Sequence, residues 1–384
     1  MQNFRHYMPV DMHFGSAILT QSDRFNLPFH KAFIVTDEQG NKGSDKAFNT
    51  LLKNLEMYHI KYVIEDTIKH PITKHTIIDG AKRAKQFSCD FIIAFGSGKA
   101  LDAGKLIARM VNENDLTLFD AWMKSKTIPP FEGETLFLLS IPTSLNNASA
   151  FNPKAFIYDI QIQRQIRFKH ESLFPAMTIC DPSLLKTLPK ANRFSALIDT
   201  VVRAIDVIHH DYSPLHSEHA KTTLKILIQN ASGLNKAVPE EKTLYNIVFA
   251  LSYLNQLYMP KPWFPLQQLS DAIEGYHETL PPSVFIKKAA PFYLAHRLES
   301  FSDKTLYKLK TCFQDSFYES PNILVAFKNF FDSLEYDDFS LKRAGLELAL
   351  VSDYMVHMKT IYPDFDMLSN DILYDILEQT LMQE

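Results

Sequence analysis

Phe91 to Lys105, read FIIAFGSGKALDAGK, constrains this chain more than any other stretch. Its opening run, Phe91-Ile92-Ile93-Ala94-Phe95, has the length and apolar, β-branched character of a strand buried in a parallel sheet. The run breaks at Gly96-Ser97-Gly98, and helix-compatible sequence follows from Lys99 through Ala108. A strand, a glycine turn and a helix start in that order build a phosphate site. Glycines let the backbone approach an anion, and the free N–H groups and dipole of a helix start favour negative charge. The chain has 11 glycines in 384 residues, and Gly96, Gly98 and Gly104 all fall in this window, which argues against an incidental cluster. An ordinary strand-to-helix turn fits the bare pattern as well.

The surrounding sequence alternates strands and helices. Phe4 to Gly15 reads as an edge strand and turn, and Lys31 to Val35 as a buried strand ending at Thr36-Asp37. Residues 44–57 read as an amphipathic helix, Tyr62 to Ile64 as a third strand, and Ile72 to about Phe87 as a helix. A helix is expected over 99–111 and a buried strand over Leu136 to Ile141, followed by Pro142-Thr143-Ser144. This alternation predicts a doubly wound parallel sheet, whose ligands gather beyond the carboxyl ends of its strands. Asp37, Gly96 to Lys99 and Thr143-Ser144 all fall there. An acidic residue at Asp37 can accept from an adenosine ribose, and it serves equally well as a helix cap or turn residue.

From Asp181-Pro182 onward strand-like runs give way to helical periodicity, over 192–209, 215–231, 240–258, 265–277, 284–299, 303–312, 321–332, 339–358 and 367–382. The expected division is an α/β dinucleotide-binding domain over 1–182 and an all-helical domain over 183–384. Lys plus Arg number 40 against 44 Asp plus Glu, a formal charge of −4, which gives no support for nucleic acid or an anionic membrane as a partner. Cys89, Cys180 and Cys312 are far apart and in no metal spacing, as expected of reduced thiols in a cytoplasmic protein. The first residues lack a signal-peptide core, and no apolar run is long enough to span a bilayer.

Gly96 to Lys105 resembles the Gly-Gly-Gly-[Ser/Lys]-x-x-Asp-x-x-Lys signature of the iron-containing alcohol dehydrogenase superfamily, with the lysine in fourth place of its glycerol-dehydrogenase members. Ser97 stands for the middle glycine and Asp102 for the signature aspartate. The resemblance implies a Rossmann-like domain followed by an all-α domain, as in the dehydroquinate synthase-like fold. It also implies that Gly96, Ser97, Gly98, Lys99 and Asp102 hold the pyrophosphate of NAD(P), and that Asp37 favours NAD over NADP. Pro142 to Ala150 (PTSLNNASA) is similar to the family's Pro-Thr-Thr-Ala-Gly-Thr-Gly-Ser-Glu. Thr143, Ser144 and Ser149 are kept, while Asn146 and Ala148 replace its glycines and Ala150 its glutamate.

The family holds a divalent metal by one Asp and three His, the first pair as Asp-x-x-x-His on one helix. Here Asp199 matches the aspartate and Arg203 stands in the histidine's place, with no lone pair to offer a cation. In the same register, anchored at Gly275 and Pro281 to Val284, Gln268 and Pro282 take the other two ligand positions and Ala272 that of a nonligand histidine. The usual metal site is therefore not expected to form. Of the remaining histidines, His277 lies nearest in sequence to the lost ligands, and His209, His210, His216, His219 and His296 share the domain; solvated or hydrogen-bonded roles are expected for all of them. Asp199 and Arg203, four residues apart, can pair as a plain salt bridge or present a guanidinium to a carbonyl oxygen.

The resulting expectation is an NAD-dependent oxidoreductase acting on a small alcohol or aldehyde, with Asp199 and Arg203 as catalytic candidates, no usual metal, and a homodimer by family analogy. The alternative is an inactive or regulatory descendant that keeps the fold and nucleotide binding. The related dehydroquinate-synthase group needs a metal and a set of lysines and histidines that this sequence lacks.

Overall fold

A computed structural model describes residues 7–37, 45–68, 71–124, 130–162, 164–257, 264–277, 280, 282–335, 340–362 and 369–382. The chain divides into two compact units, Tyr7–Leu188 and, from Pro189 onward, a helical unit.

The first unit is built on a six-stranded sheet. Its strands are β1 (Asp11–Phe14), β2 (Lys31–Asp37), β3 (Lys61–Ile68), β4 (Phe91–Gly96), β5 (Phe137–Pro142) and, after a hairpin, β8 (Met177–Cys180). They lie in the order β1-β8-β5-β4-β2-β3, every pairing parallel. Helices α1 (Asp45–Met57), α2 (Lys74–Gln86) and α3 (Gly98–Met110) supply the crossovers. Side chains alternate across the pleat, so β4 feeds both faces. Ile92 and Ala94 join Leu101, Leu106 and Ile107 on one side, while Phe91, Ile93 and Phe95 join Phe48, Leu51 and Leu55 on the other. Burying each such side chain contributes about 1.5–3 kcal/mol, and a strand that does so at every position has to lie centrally.

Register then lines up the strand ends. Thr36 pairs with Phe95 and Gly96 with Pro142, so Asp37, the glycine turn and Thr143 lie abreast at the carboxyl edge. After β2 the chain moves outward to β3 and returns across β2 to β4. The crevice between the ends of β2 and β4 is therefore a topological switch point.

The structure adds elements absent from the sequence reading. An antiparallel hairpin joins β6 (Lys154–Asp159) to β7 (Arg164–Lys169), with Ala155, Ile157 and Phe168 facing the core. A short helix, α4 (Leu118–Lys124), precedes β5. The expected opening strand at Phe4 is present over Asp11–Phe14 at the sheet edge, and residues 4–6 lie outside the described residues.

The helical unit contains α5 (Lys190–His210), α6 (Pro214–Asn230), α7 (Glu241–Asn255), α8 (Pro265–Glu274), α9 (Pro282–Leu298), α10 (Asp303–Phe313), α11 (Ile323–Ser333), α12 (Val351–Ile361) and α13 (Asn370–Met382). One expectation fails here. The helix expected over 339–358 starts only at Val351, after a turn in which Gly345 adopts a φ of 88°. That left-handed conformation ends any helix running through it. Helix α5 is apolar on most of its circumference, with Phe194, Leu197, Val201, Ala204, Ile205 and Ile208 buried, as befits a helix surrounded by others.

Candidate functional site

In the α/β unit the site is made largely of backbone. Gly96 closes β4 with a φ of 155°, and a Cβ there would come within 2.7 Å of Asp37 Oδ1 and 2.8 Å of the Ala100 Cβ. Only glycine makes this turn. A Cβ on Gly98 would meet nothing within 4 Å, so the chain is open at the first residue of α3. Gly104 has a third role: its missing side chain lets α3 rest on Ala94 of β4, where a Cβ would lie 2.7 Å from the alanine Cβ. Turn, open approach and close helix–strand packing are the three glycine uses of a dinucleotide-binding turn.

Thr143 completes this edge. Its N–H donates to the Gly96 carbonyl at 2.9 Å, while its Oγ1 is buried without a hydrogen-bond partner among the described residues. A buried hydroxyl left unpaired costs about 1–3 kcal/mol, so its place beside the glycine turn points to a ligand atom. Ser144 donates to the Asn146 carbonyl at 3.2 Å, and Lys99 is exposed at the helix start.

Asp37 and Ser97 are bound to each other. Asp37 Oδ2 accepts from the Ser97 N–H at 3.2 Å and from the Ser97 hydroxyl, and Ser97 Oγ accepts from the Lys99 N–H at 3.3 Å as the N-cap of α3. The carboxylate thus turns onto the glycine loop.

Asp102 stands apart from this group. One oxygen accepts from Ser149 Oγ and lies 3.6 Å from Lys105 Nζ, and the other accepts from the Phe156 N–H at 3.1 Å. Lys105 also donates to Ser149 at 2.7 Å and to the Lys154 carbonyl at 2.6 Å. The pair fastens α3 to the 149–156 segment. Burial pushes the Lys105 amine down to about 8 against the opposing pull of Asp102. The signature Asp and Lys serve here as an internal tie, a role that needs the far end of the hairpin and leaves no local signal.

In the helical unit Asp199, Arg203 and Asp206 form one stripe along α5. Arg203 Nη1 donates to Asp199 Oδ2 at 3.5 Å and Nη2 to Asn255 Oδ1 at 2.9 Å, and its guanidinium lies 5.0 Å from the centre of the Phe264 ring. Asp199 Oδ1 is buried with no hydrogen-bond partner among the described residues. Burial raises its pKa to about 6, with Arg203 opposing and the charge of Asp271 adding to the rise. Gln268 and Ala272 are buried on α8, and Asp271 accepts from Gln267 at 2.9 Å and from the Tyr362 hydroxyl. Pro281 lies outside the described residues, and Pro282 opens α9.

The sequence reading missed the next residues of the stripe. Asp206 accepts from the Tyr293 hydroxyl and lies 3.9 Å from Arg297 Nε, with its other oxygen buried and without a hydrogen-bond partner among the described residues. Burial lifts its carboxyl to about 7. Arg297 in turn donates to His210 at 3.2 Å, and burial with this neighbouring charge lowers His209 to about 4 and His210 to about 3. The other histidines of the unit have neighbours of their own. His277 pairs with the Tyr354 hydroxyl at 2.6 Å, His296 with Asp375 at 2.6 Å, His216 with Ser213 at 2.6 Å, and His219 stacks on Tyr253. Among the described residues no three His, Cys, Asp or Glu side chains come together in a way that could hold a metal ion. Nor is any helix among them long and apolar enough to cross a membrane.

Residues 9–182 match the family described as iron-containing alcohol dehydrogenase. NADP-dependent alcohol dehydrogenase 3 of Entamoeba histolytica is 26% identical over 211 residues, 54% of this chain and 53% of that protein. The chain spans about half the length, or less, of the curated relatives it matches. Among solved structures, NADH-dependent butanol dehydrogenase A of Thermotoga maritima superposes with a TM-score of 0.81 at 16% identity, covering 99% of each chain. Sulfoacetaldehyde reductase of Bifidobacterium kashiwanohense, in complex with NAD+, gives 0.82 at 13% identity over 100% of each. Identities this low speak for the fold.

Proposed function

Since residues 9–182 belong to the iron-containing alcohol dehydrogenase family and the whole chain carries that fold, we propose that this protein is an NAD(P)-dependent oxidoreductase. Its reaction is hydride transfer between the nicotinamide and a small alcohol or aldehyde. One observation carries the reading: an open backbone at Gly98 beside the partnerless, buried Thr143 Oγ1, both at the switch point of a parallel sheet.

In this reading Gly98 and the first turn of α3 receive the pyrophosphate, Thr143 and Ser144 contribute hydroxyls, and Lys99 adds a cation. The bound nicotinamide supplies the hydride chemistry. The carboxylate of Asp37, set against the loop, repels a further phosphate, so NAD is preferred over NADP. The three cysteines are free and buried, in keeping with a reducing cytoplasm, and a homodimer is the assembly proposed.

The donor set of the helical unit does not fit the family's iron. Asp199 is the one carboxylate of the expected ligand set, and it is engaged by Arg203, a group with no lone pair. Iron bound by one carboxylate would lack the further nitrogen or oxygen donors that hold such an ion. We therefore propose turnover without the usual metal. The positive charge at α5 is then a guanidinium, which donates to a carbonyl or alkoxide oxygen less strongly than a metal polarises it.

A second reading is favoured by Arg203 closing onto both Asp199 and Asn255: a descendant that keeps nucleotide binding without turnover. The two part in one set of measurements on purified protein. NADH and NADPH are titrated by cofactor fluorescence, and turnover of small aldehydes is followed with and without added divalent metal. Saturable NADH binding with metal-independent turnover is the expected result. Binding without turnover selects the descendant, and no binding up to millimolar NADH removes the dehydrogenase.

A further inference from the structure

The start of α3 already holds an anion of the chain's own. Ser97, at the middle position of the glycine turn, donates its N–H and its hydroxyl to Asp37 Oδ2 and accepts the Lys99 N–H on its Oγ. Two donors that a phosphate needs, the N–H groups of Ser97 and Lys99, are thereby taken. A carboxylate charge is also fixed at the end of the helix that attracts anions. A hydroxyl bonded to a carboxylate is a charge-assisted contact, stronger than a neutral hydrogen bond. Glycine at position 97 would have no hydroxyl to make either side-chain bond.

We infer that Ser97 tunes the cofactor affinity of this loop by binding Asp37 and the start of α3 in competition with the dinucleotide pyrophosphate. This rests on the nucleotide site proposed above. In such an arrangement Asp37 acts through the loop, as a group whose position Ser97 sets. Pyrophosphate binding has to draw the Lys99 N–H away from Ser97 Oγ and to tolerate the neighbouring carboxylate. Gly98 and Thr143 Oγ1, which the lock leaves open, are the points of first attachment.

The test is a set of fluorescence titrations with NADH and NADPH, and competition by inorganic pyrophosphate, on wild type, Ser97→Gly, Ser97→Ala and Asp37→Asn. Glycine is a tolerated N-cap, so Ser97→Gly keeps the fold, and Asp37→Asn loosens the lock without touching the cap. Both Ser97 variants are expected to bind NADH and pyrophosphate about tenfold more tightly, the equivalent of one charge-assisted hydrogen bond. Asp37→Asn is expected to gain most with NADPH. If wild type binds and both Ser97 variants bind equally or more weakly, Ser97 supports the loop and the inference falls while the nucleotide site stands. If wild type binds nothing, the lock predicts that the Ser97 variants acquire binding. Failure of all the proteins to bind removes both the lock and the site.

Discussion

Two polar clusters of this protein are made of different material. At the carboxyl edge of the sheet the key groups are backbone: a turn that only glycine makes at 96, an open approach at Gly98, a helix start, and one partnerless hydroxyl on Thr143. On α5 they are long charged side chains buried among helices, with Asp199, Arg203 and Asp206 on one stripe and Asn255, Tyr293 and Arg297 brought in from α7 and α9. A backbone site costs little desolvation, because its donors are peptide groups whose other ends are tied into the sheet and helix. A side-chain cluster of buried charges has to offset a desolvation penalty of several kcal/mol per ion with its own pairings. The first arrangement keeps Gly98 and Thr143 Oγ1 open to a ligand although Asp37 and Ser97 engage the neighbouring N–H groups, while the second is closed by internal partners. Where those run out, as at Asp199 Oδ1 and Asp206 Oδ2, the carboxyls retain protons well above the usual range.

Substitutions can break this contrast in order of size. Above pH 7, where the carboxyl is ionised, Asp206→Ala strands the Arg297 guanidinium in the interior and is expected to cost about 3–5 kcal/mol, read as a lower urea midpoint at about pH 8. The same carboxyl gives a pH signature. Burial raises it from 3.8 to about 7 in the folded state, so between those values the folded form holds a proton that the unfolded form has lost. Its contribution is full below about pH 4 and is lost as pH rises through 7, with Asp199 adding the same sign up to about 6. Asp206→Asn is expected to flatten the decline of Tm over that range; an unchanged slope would place the titration elsewhere.

Gly96→Ala comes next, at about 2–3 kcal/mol, because its Cβ meets both Asp37 and Ala100 in a backbone conformation that L residues avoid. Arg203→Ala is expected to cost about 1–3 kcal/mol, since it leaves the buried Asp199 carboxylate without its cation. Gly98→Ala is the sharpest probe of the comparison. Nothing stands within reach of the added methyl, so thermal stability should hold within about 0.5 kcal/mol. NADH affinity is expected to fall roughly tenfold, since the methyl fills the approach a pyrophosphate needs. A Gly98→Ala protein that binds like wild type would show that the backbone at 98 does not carry the site.

Much of the first unit was legible from residues alone. Strand β4 announces itself by an unbroken apolar run, the turn by two glycines in a glycine-poor chain, and α3 by its periodicity, because each of these is a local property. The hairpin Lys154–Asp159 and Arg164–Lys169 leaves little trace in the sequence, although Ala155, Ile157 and Phe168 face the core. Its alternation is short and interrupted by charged residues. The helix expected over 339–358 is cut short because Gly345, at a φ of 88°, cannot continue it, and a lone glycine in a helical pattern does not disclose its conformation.

The sequence by itself determined the parallel α/β unit, the helical unit and the glycine turn, since hydrophobic period and glycine placement act over a few neighbouring residues. Tertiary structure decided the partners. It turned Asp37 onto Ser97, tied Asp102 and Lys105 to the segment around Ser149, closed Arg203 onto Asn255, and set Asp206 against Tyr293 and Arg297. Each of those pairings joins residues brought together only by packing, and a carboxylate or guanidinium reports nothing in sequence about which distant group will neutralise it.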